Sequence, residues 1–243
     1  MGKIIVGIDE AGRGAVIGPL VVAGVALREE NEQELKKIGV RDSKELTAKK
    51  REKLAEKIQE IVDNILILKV AACRIDDYRK NGVNLNKLEG MKMMEIIDYL
   101  GGDKIYVDAY DVNTDRLKRL LEKSLKKEGA EVVAEHFADK KYPAVSAASI
   151  IAKVERDKEI EELKKEYGDI GPGYPSNEIT MNWLKEWLKT HKDFPPIVRK
   201  SWDTISVLKN DHKQSRLTGW FKGLLKTEEE CKVKESSESK KTG

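Results

Sequence analysis

The chain has few of the residues that mark disulfide-stapled or zinc-built proteins. Its 243 residues include two cysteines, Cys73 and Cys231, and three histidines, His136, His191 and His212. The cysteines are far apart, Cys231 lies in a polar tail, and no histidine has ligand spacing to either, so neither a disulfide nor a zinc site is expected. Long apolar runs are missing as well. The longest, Pro19 to Leu27 and Ile65 to Cys73, are strand-sized, whereas a membrane helix needs roughly 20 apolar residues. No basic-then-apolar leader opens the chain, so the expectation is a cytoplasmic protein without a membrane partner. Charge of one sign is not in large excess either. Lys and Arg number 46 against 43 Asp and Glu, a net charge of +3, which is compatible with nucleic-acid binding without demonstrating it.

Charge itself is plentiful. Charged residues make up 37% of the chain and hydrophobic ones 40%, enough for one substantial core and a small appendage under a very charged surface. The heavy use of Lys and Glu resembles heat-adapted proteins. Hydrophobic periodicity predicts strands at about 3–9, 18–27, 63–72, 104–108 and 130–135, and helices at about 31–38, 47–62, 85–100, 114–127, 145–167 and 178–190. Thr47 is the expected N-cap of a helix whose stripe is Leu54, Ile58, Ile61 and Val62. Asn84 sets off the next helix, with Leu88, Met91, Ile96 and Ile97; its methionines read as core filler. Strands that come first and then alternate with helices point to an α/β domain. Gly168 to Pro175 breaks the long helix, and Trp183, Leu184, Trp187 and Leu188 follow before Pro195-Pro196. The expected division is a main domain over 1–169, a small helical region over 170–208 and a tail over 209–243, disordered from about residue 223.

The chemistry-bearing residues cluster at strand ends. Ile4 to Ile8 is apolar, as in a strand buried on both faces, and then come Asp9-Glu10-Ala11-Gly12-Arg13-Gly14. Neighbouring strand residues point to opposite faces, so two acids there cannot both pack into an apolar core. They form either a solvated strand end or a hard-cation site, since carboxylate oxygens suit Mg²⁺ or Mn²⁺. Gly12-Arg13-Gly14 lets backbone approach a ligand closely and supplies a guanidinium suited to phosphate. Asp108 ends the run Lys104-Ile105-Tyr106-Val107 and faces Asp9 if the two strands are neighbours. Asp111 and Asp115 are nearby, the latter reading as a first-turn acid of a helix. Asp139 follows the last strand and precedes a helix that opens on small residues; it is either a loop acid or a fourth member of the group. Four such acids could hold two divalent ions about 4 Å apart and hydrolyse a phosphodiester.

The ordered motifs Gly7-Ile8-Asp9-Glu10-Ala11-Gly12-Arg13-Gly14, Ile17-Gly18-Pro19, Asp42-Ser43-Lys44-Glu45-Leu46, Val107-Asp108, Ser146 to Asp157 and Gly173-Tyr174-Pro175 make the chain resemble ribonuclease HII, the type 2 ribonuclease H family, from about residue 3 to 205. Phe194 to Trp202 resembles the archaeal branch. The resemblance implies a ribonuclease H-like fold: a mixed five-stranded sheet flanked by helices, with a small C-terminal helical region. It also implies that Asp9, Glu10, Asp108 and Asp139 are the catalytic, metal-binding acids, holding Mg²⁺ or Mn²⁺, two ions during catalysis. The implied reaction is endonucleolytic cleavage 5′ to ribonucleotides, in RNA–DNA hybrids and at single ribonucleotides in duplex DNA. The products carry a 3′-hydroxyl and a 5′-phosphate, and the roles are ribonucleotide removal and primer RNA degradation. Gly12, Arg13 and Gly14 resemble the family's 2′-hydroxyl sensor. Tyr174 resembles the tyrosine that packs on the neighbouring 3′ sugar, although alone it would read as a turn aromatic. Ser43 and Lys44 are candidate phosphate contacts. Lys153 and Arg156 are either further phosphate contacts or helical surface charge, and Arg199 and Lys200 beside Trp202 form a candidate backbone-contacting patch. Ala15 stands where the family usually has proline, which is expected to loosen the turn slightly. The family usually acts as a single chain, so a monomer is implied.

A second signal lies near the end. Gln214-Ser215-Arg216-Leu217-Thr218-Gly219-Trp220-Phe221 resembles the short motif by which replication proteins engage the sliding clamp. One helical turn would put Leu217, Trp220 and Phe221 on one side as an anchor, with Gln214 leading. A terminal amphipathic turn folding back on the domain is the alternative. Two other functions compete with the leading one: a ribonuclease H-like DNA repair endonuclease and a non-catalytic clamp-associated binder. The sensor residues with Tyr174 argue against the first, and the intact acid set argues against the second.

Overall fold

The computed structural model describes residues 2–40 and 46–214. Ser43, Lys44, Leu217, Trp220, Phe221 and the tail expected to be disordered lie outside the described residues; Gln214 lies inside them.

Five strands, β1 (Ile4–Ala11), β2 (Leu20–Arg28), β3 (Asn64–Val70), β4 (Lys104–Asp108) and β5 (Glu131–Glu135), form one sheet in the order β3-β2-β1-β4-β5. β1 is antiparallel to β2, and β2 to β3, whereas β4 runs parallel to both β1 and β5. The sheet is mixed and five-stranded, as the resemblance implied. The helices are α1 (Glu32–Lys37), α2 (Ala48–Ile61), α3 (Ala72–Lys80), α4 (Leu85–Leu100), α5 (Thr114–Glu122), α6 (Ala138–Lys141), α7 (Pro143–Tyr167) and α8 (Glu178–Thr190), and residues 203–214 are also helical. Thr47 accepts a hydrogen bond from the Lys50 amide and Asn84 from the Lys87 amide, so both expected caps form. Among the described residues no helix is long and apolar enough to cross a membrane.

Strand alternation sorts the core into two layers. Ile5, Val21, Ala23, Val25 and Leu27 pack with α1, α2 and α7 on one face of the sheet. Val6, Ile8, Leu20, Val22 and Ala26 pack with α3, α4 and α5 on the other. The first layer is closed where α7 crosses β1. A Cβ on Gly7 would stand 2.1 Å from the carbonyl carbon of Ala144, so only glycine lets the small-residue start of α7 lie that close to the strand. A third cluster joins Val16, Ile17 and Ile160 to Ile170, Leu184, Phe194, Val198 and Ile205, which seats the 170–208 region on the turn that follows β1.

Several boundaries differ from the periodicity reading. β1 continues through Glu10 to Ala11, because β2 pairs with it over that whole length. α5 ends at Glu122, short of residue 127, and α7 starts at Pro143, whose missing N–H costs nothing in a first turn. Neither α3 nor α6 was expected. α3 buries only Ala72, Ile75 and Asp76 in a charge-rich sequence, and α6 is a single turn. Both are too short or too polar to carry a clear helical period.

Candidate active site

The end of β1 splits its two acids between the two layers. Asp9 shares a face with Ile5 and meets α7, where it accepts a hydrogen bond from the Ser149 hydroxyl. Ser149 in turn accepts from Lys153 Nζ at 2.9 Å. Glu10 shares the other face with Val6 and Ile8 and lies near Glu89 of α4. β4 runs beside β1 with Ile8 opposite Val107, so Asp108 follows directly alongside Asp9. The predicted juxtaposition of Asp9 and Asp108 is therefore present. Asp108 Oδ1 accepts from the Ala138 amide at 2.9 Å, which ties the end of β4 to the first turn of α6, where the buried Asp139 sits. The turn into α6 is tight: Phe137 has φ +58°, the one left-handed non-glycine among the described residues.

Burial and repulsion dominate the electrostatics. Burial, with the nearby Asp108 charge, pushes the Asp9 carboxyl up to about 7 against the opposing pull of Ser149, the Glu10 amide and Lys153. Burial and the charges of Asp9, Glu89 and Asp108 hold Glu10 well above the usual carboxylate range. Glu10 Oε2 is buried with no hydrogen-bond partner. Among the described residues no three acid, histidine or cysteine side chains converge as a metal-ligating group. The donors at this strand end, carboxylate oxygens with an orphaned buried atom and an excess of negative charge, fit a hard divalent cation. Asp9 and Glu10 with Asp108 and Asp139 are the residues that would hold it.

Asp111 does not join the cluster. It is bound by the Arg116 guanidinium and by the Asn113 amide, and that ion pair holds its carboxyl below the usual range. Asp115 occupies the first turn of α5, as expected.

Beside the acids, the Gly12-Arg13-Gly14 turn is fixed from several sides. The Ala15 amide donates to Gly12 O at 3.2 Å. The turn is thus closed by a hydrogen bond that proline at that position could not make, contrary to the loosening expected from Ala15. Arg13 Nε contacts both oxygens of the fully buried Glu89, at 3.0 and 2.9 Å, and Arg13 donates to Asn86 Oδ1 at 2.6 Å. Its guanidinium carbon lies 5.4 Å from the Tyr110 ring centroid. Burial outweighs Arg13 at Glu89 and pushes that carboxyl up to about 7. A side chain expected to reach out for phosphate is therefore anchored inward.

Arg156 and Arg199 are the largest correction to the sequence reading. Neither is surface charge: Arg156 is 3% exposed and Arg199 0%. Arg156 Nη2 donates to Pro172 O at 2.9 Å, and its guanidinium lies 4.5 Å from the Tyr174 ring centroid. Arg199 donates to Gly18 O at 3.1 Å and to Arg13 O at 3.0 Å. The amides of Val16 and Ile17 donate to Gly173 O. These bonds join the turn after β1, the Tyr174 loop and the 197–199 segment into one platform. Burial, together with the repulsion of Arg156, lowers Arg199 to about 9.

Glu89, Arg156 and Arg199 were missed or misread from sequence, yet two carried a signal. Glu89 falls on the apolar stripe of α4 with Met93, Ile96 and Ile97, and Arg156 on that of α7 with Ala152 and Ile160. A charge on a buried stripe needs a partner, and here the partners are the turn residues.

A family model described as ribonuclease HII matches residues 6–205 of this chain. Ribonuclease HII of Pyrococcus horikoshii is 47% identical over 216 residues, which cover 88% of this chain and 96% of that protein. The crystal structure of ribonuclease H2 from Pyrococcus horikoshii OT3 superposes with a TM-score of 0.80 at 47% identity, covering 86% of this chain and 99% of that one. A structure of the PCNA:RNase HII complex from Archaeoglobus fulgidus gives a TM-score of 0.76 at 48% identity, covering 82% of this chain and 95% of that one.

Proposed function

The chain belongs to the ribonuclease HII family and is a ribonuclease H acting on RNA–DNA hybrids; from that premise we propose that it is a metal-dependent endonuclease that also cuts at single ribonucleotides in duplex DNA. Cleavage falls 5′ to the ribonucleotide and leaves a 3′-hydroxyl and a 5′-phosphate. The observation that carries this reading is the strand-end pair Asp9 and Glu10, split between two faces beside Asp108, with carboxyls raised by burial and mutual repulsion.

Asp9, Glu10, Asp108 and Asp139 would hold Mg²⁺ or Mn²⁺. When bound, two such ions supply the Lewis acidity that activates water and stabilises the leaving oxygen of an in-line displacement. The chain's own residues orient and select. Ser149 and Lys153 hold the Asp9 carboxylate toward the sheet end. The Ala138 amide fixes Asp108. Gly12, Arg13 and Gly14 offer backbone groups to the 2′-hydroxyl, the one group that distinguishes a ribonucleotide within DNA. Tyr174, stacked on Arg156, offers its ring to the sugar on the 3′ side. Ser43 and Lys44 would meet phosphate near the scissile bond.

The same reading extends to partners and place. The A. fulgidus relative is in complex with PCNA, and Gln214, Leu217, Trp220 and Phe221 of this chain match a clamp-binding pattern. We assign the 209–243 tail to sliding-clamp engagement, the 1–169 domain to catalysis and the 170–208 region to substrate binding, in a monomeric cytoplasmic protein that removes ribonucleotides and degrades primer RNA.

The test is cleavage of a DNA duplex carrying one internal ribonucleotide, with Mg²⁺, with Mn²⁺ and with chelator, and mapping of the cut. A metal-dependent nick 5′ to the ribonucleotide is expected. Cleavage of a long hybrid with no nick at the single ribonucleotide would remove the sensor assignment.

A further inference from the structure

Next to Arg13 lies an open groove of about 570 Å³ between the start of α4 and α5. Asn86, Lys87, Tyr110, Arg116, Arg119 and Lys123 line it. Two observations connect it to the platform. Arg13 donates to Asn86 Oδ1 and its guanidinium lies 5.4 Å from the Tyr110 ring centroid, so two residues of the groove wall touch the sensor turn. Tyr110 also follows Asp108 by two residues, which opens the groove at the same end of the sheet as the acids.

Its charge is one-sided. Four cations face the groove against one lining carboxylate, Asp111, which Arg116 already neutralises. Lys87, Arg119 and Lys123 are exposed and pair with no carboxylate among the described residues. Other lysines of the same two helices do sit in ion pairs, Lys92 of α4 with Glu95 and Lys118 of α5 with Glu122. An open channel of uncompensated Lys and Arg, with amide and phenol groups along its inner wall, suits a phosphodiester backbone.

We propose that this groove binds the phosphate backbone of the duplex beside the cleavage site. The inference rests on the proposed function, and it adds a site that sets affinity and salt dependence without reading the 2′-hydroxyl. Phosphate contacts of this kind position a duplex and release counterions, whereas the sugar contact selects it.

The test is duplex binding by fluorescence anisotropy in chelator, at several salt concentrations, which needs no cleavage. In the Lys87→Gln/Arg119→Gln/Lys123→Gln variant the slope of log Kd against log salt should shrink by about 2 to 3 units, near 0.9 for each lost phosphate contact. Lys37→Gln/Lys57→Gln, on exposed positions of α1 and α2, is the control and should keep the wild-type slope. With Mg²⁺, KM for cleavage should rise about tenfold or more while kcat changes less than about twofold and the cut position stays the same. Arg119→Gln alone should give about a third of the slope change, a check against misfolding of the triple variant. Neutral methylphosphonates placed one at a time along either strand then identify the phosphates and their strand: about three positions, near one for each cation, should weaken the wild type and leave the triple variant unaffected. An unchanged slope in the triple variant, or no such position in either strand, overturns the groove. Loss of cleavage in the wild type with the slope difference intact would instead strike the proposed function alone.

Discussion

Gly12 lies against the guanidinium of Arg156. A Cβ at Gly12 would stand 2.3 Å from Arg156 Nε and 2.6 Å from Pro19 O, and the residue has φ +85°. Alanine there is both strained and blocked by a buried side chain with no room to retreat. Gly12→Ala is predicted to lower stability by about 2–4 kcal/mol and to lose selectivity for single ribonucleotides. Urea unfolding and cleavage of matched duplexes read the two effects, and a wild-type selectivity in the folded variant would speak against the sensor.

Arg156→Lys keeps a charge and a donor but loses the planar guanidinium that lies over Tyr174 while bonded to Pro172 O. If Tyr174 acts on the sugar from a platform held by Arg156, the rate ratio for single ribonucleotides over long hybrids should fall about tenfold, equivalent to roughly 1.4 kcal/mol. The long-hybrid rate should hold nearly constant. A variant that loses both rates equally would reduce Arg156 to a general packing role.

Stability should depend on pH through the buried acids. Asp9 and Glu89 stand near 7 when folded, and Glu10 stands well above its ordinary value, burial being the largest cause in each. A carboxyl with a raised folded pKa contributes stability that is fully present below its unfolded pKa and is lost as pH rises through the folded one. In chelator, Asp9 should therefore contribute a stability loss on the order of 2–4 kcal/mol between about pH 4 and pH 8. Asp9→Asn should remove much of that slope and be the more stable protein at the alkaline end, and added Mg²⁺ or Mn²⁺ should flatten the wild-type curve. Identical pH profiles for wild type and Asp9→Asn would refute this view of the cluster.

A peptide spanning residues 210–223 should bind the sliding clamp with a Kd in the micromolar range or tighter, at about −8 kcal/mol. Calorimetry is the measurement. Replacing Trp220 and Phe221 by alanine should abolish the heat, since aromatic anchors dominate small interfaces. A peptide that gives no heat in the first place would remove the clamp assignment.

Much of this arrangement can be read in the chain before any coordinates. Ile4 to Ile8 and Ile105 to Val107 are short apolar runs that end on acids, and parallel pairing of β1 with β4 is what sets Asp108 alongside Asp9. The two helix caps are equally local, each a single side chain bonding to an amide three residues on. The buried Arg199 was hidden for the opposite reason. Arg199 bonds to Gly18 and Arg13, 181 and 186 residues away, so nothing near it in sequence reveals its burial. Glu89 shows the intermediate case: its place on the α4 stripe is local, but its partner Arg13 is brought by the turn after β1.

If the acids at the end of the sheet are the cleaving centre, Asp108→Asn is the most direct measurement of it. The substitution keeps the size of the side chain and an oxygen able to accept from the Ala138 amide, but removes the charge. Binding to a single-ribonucleotide duplex should survive within a few-fold, while metal-dependent nicking should fall by about a thousandfold or more, roughly 4 kcal/mol of barrier. Nicking at the wild-type rate would contradict the assignment of these acids.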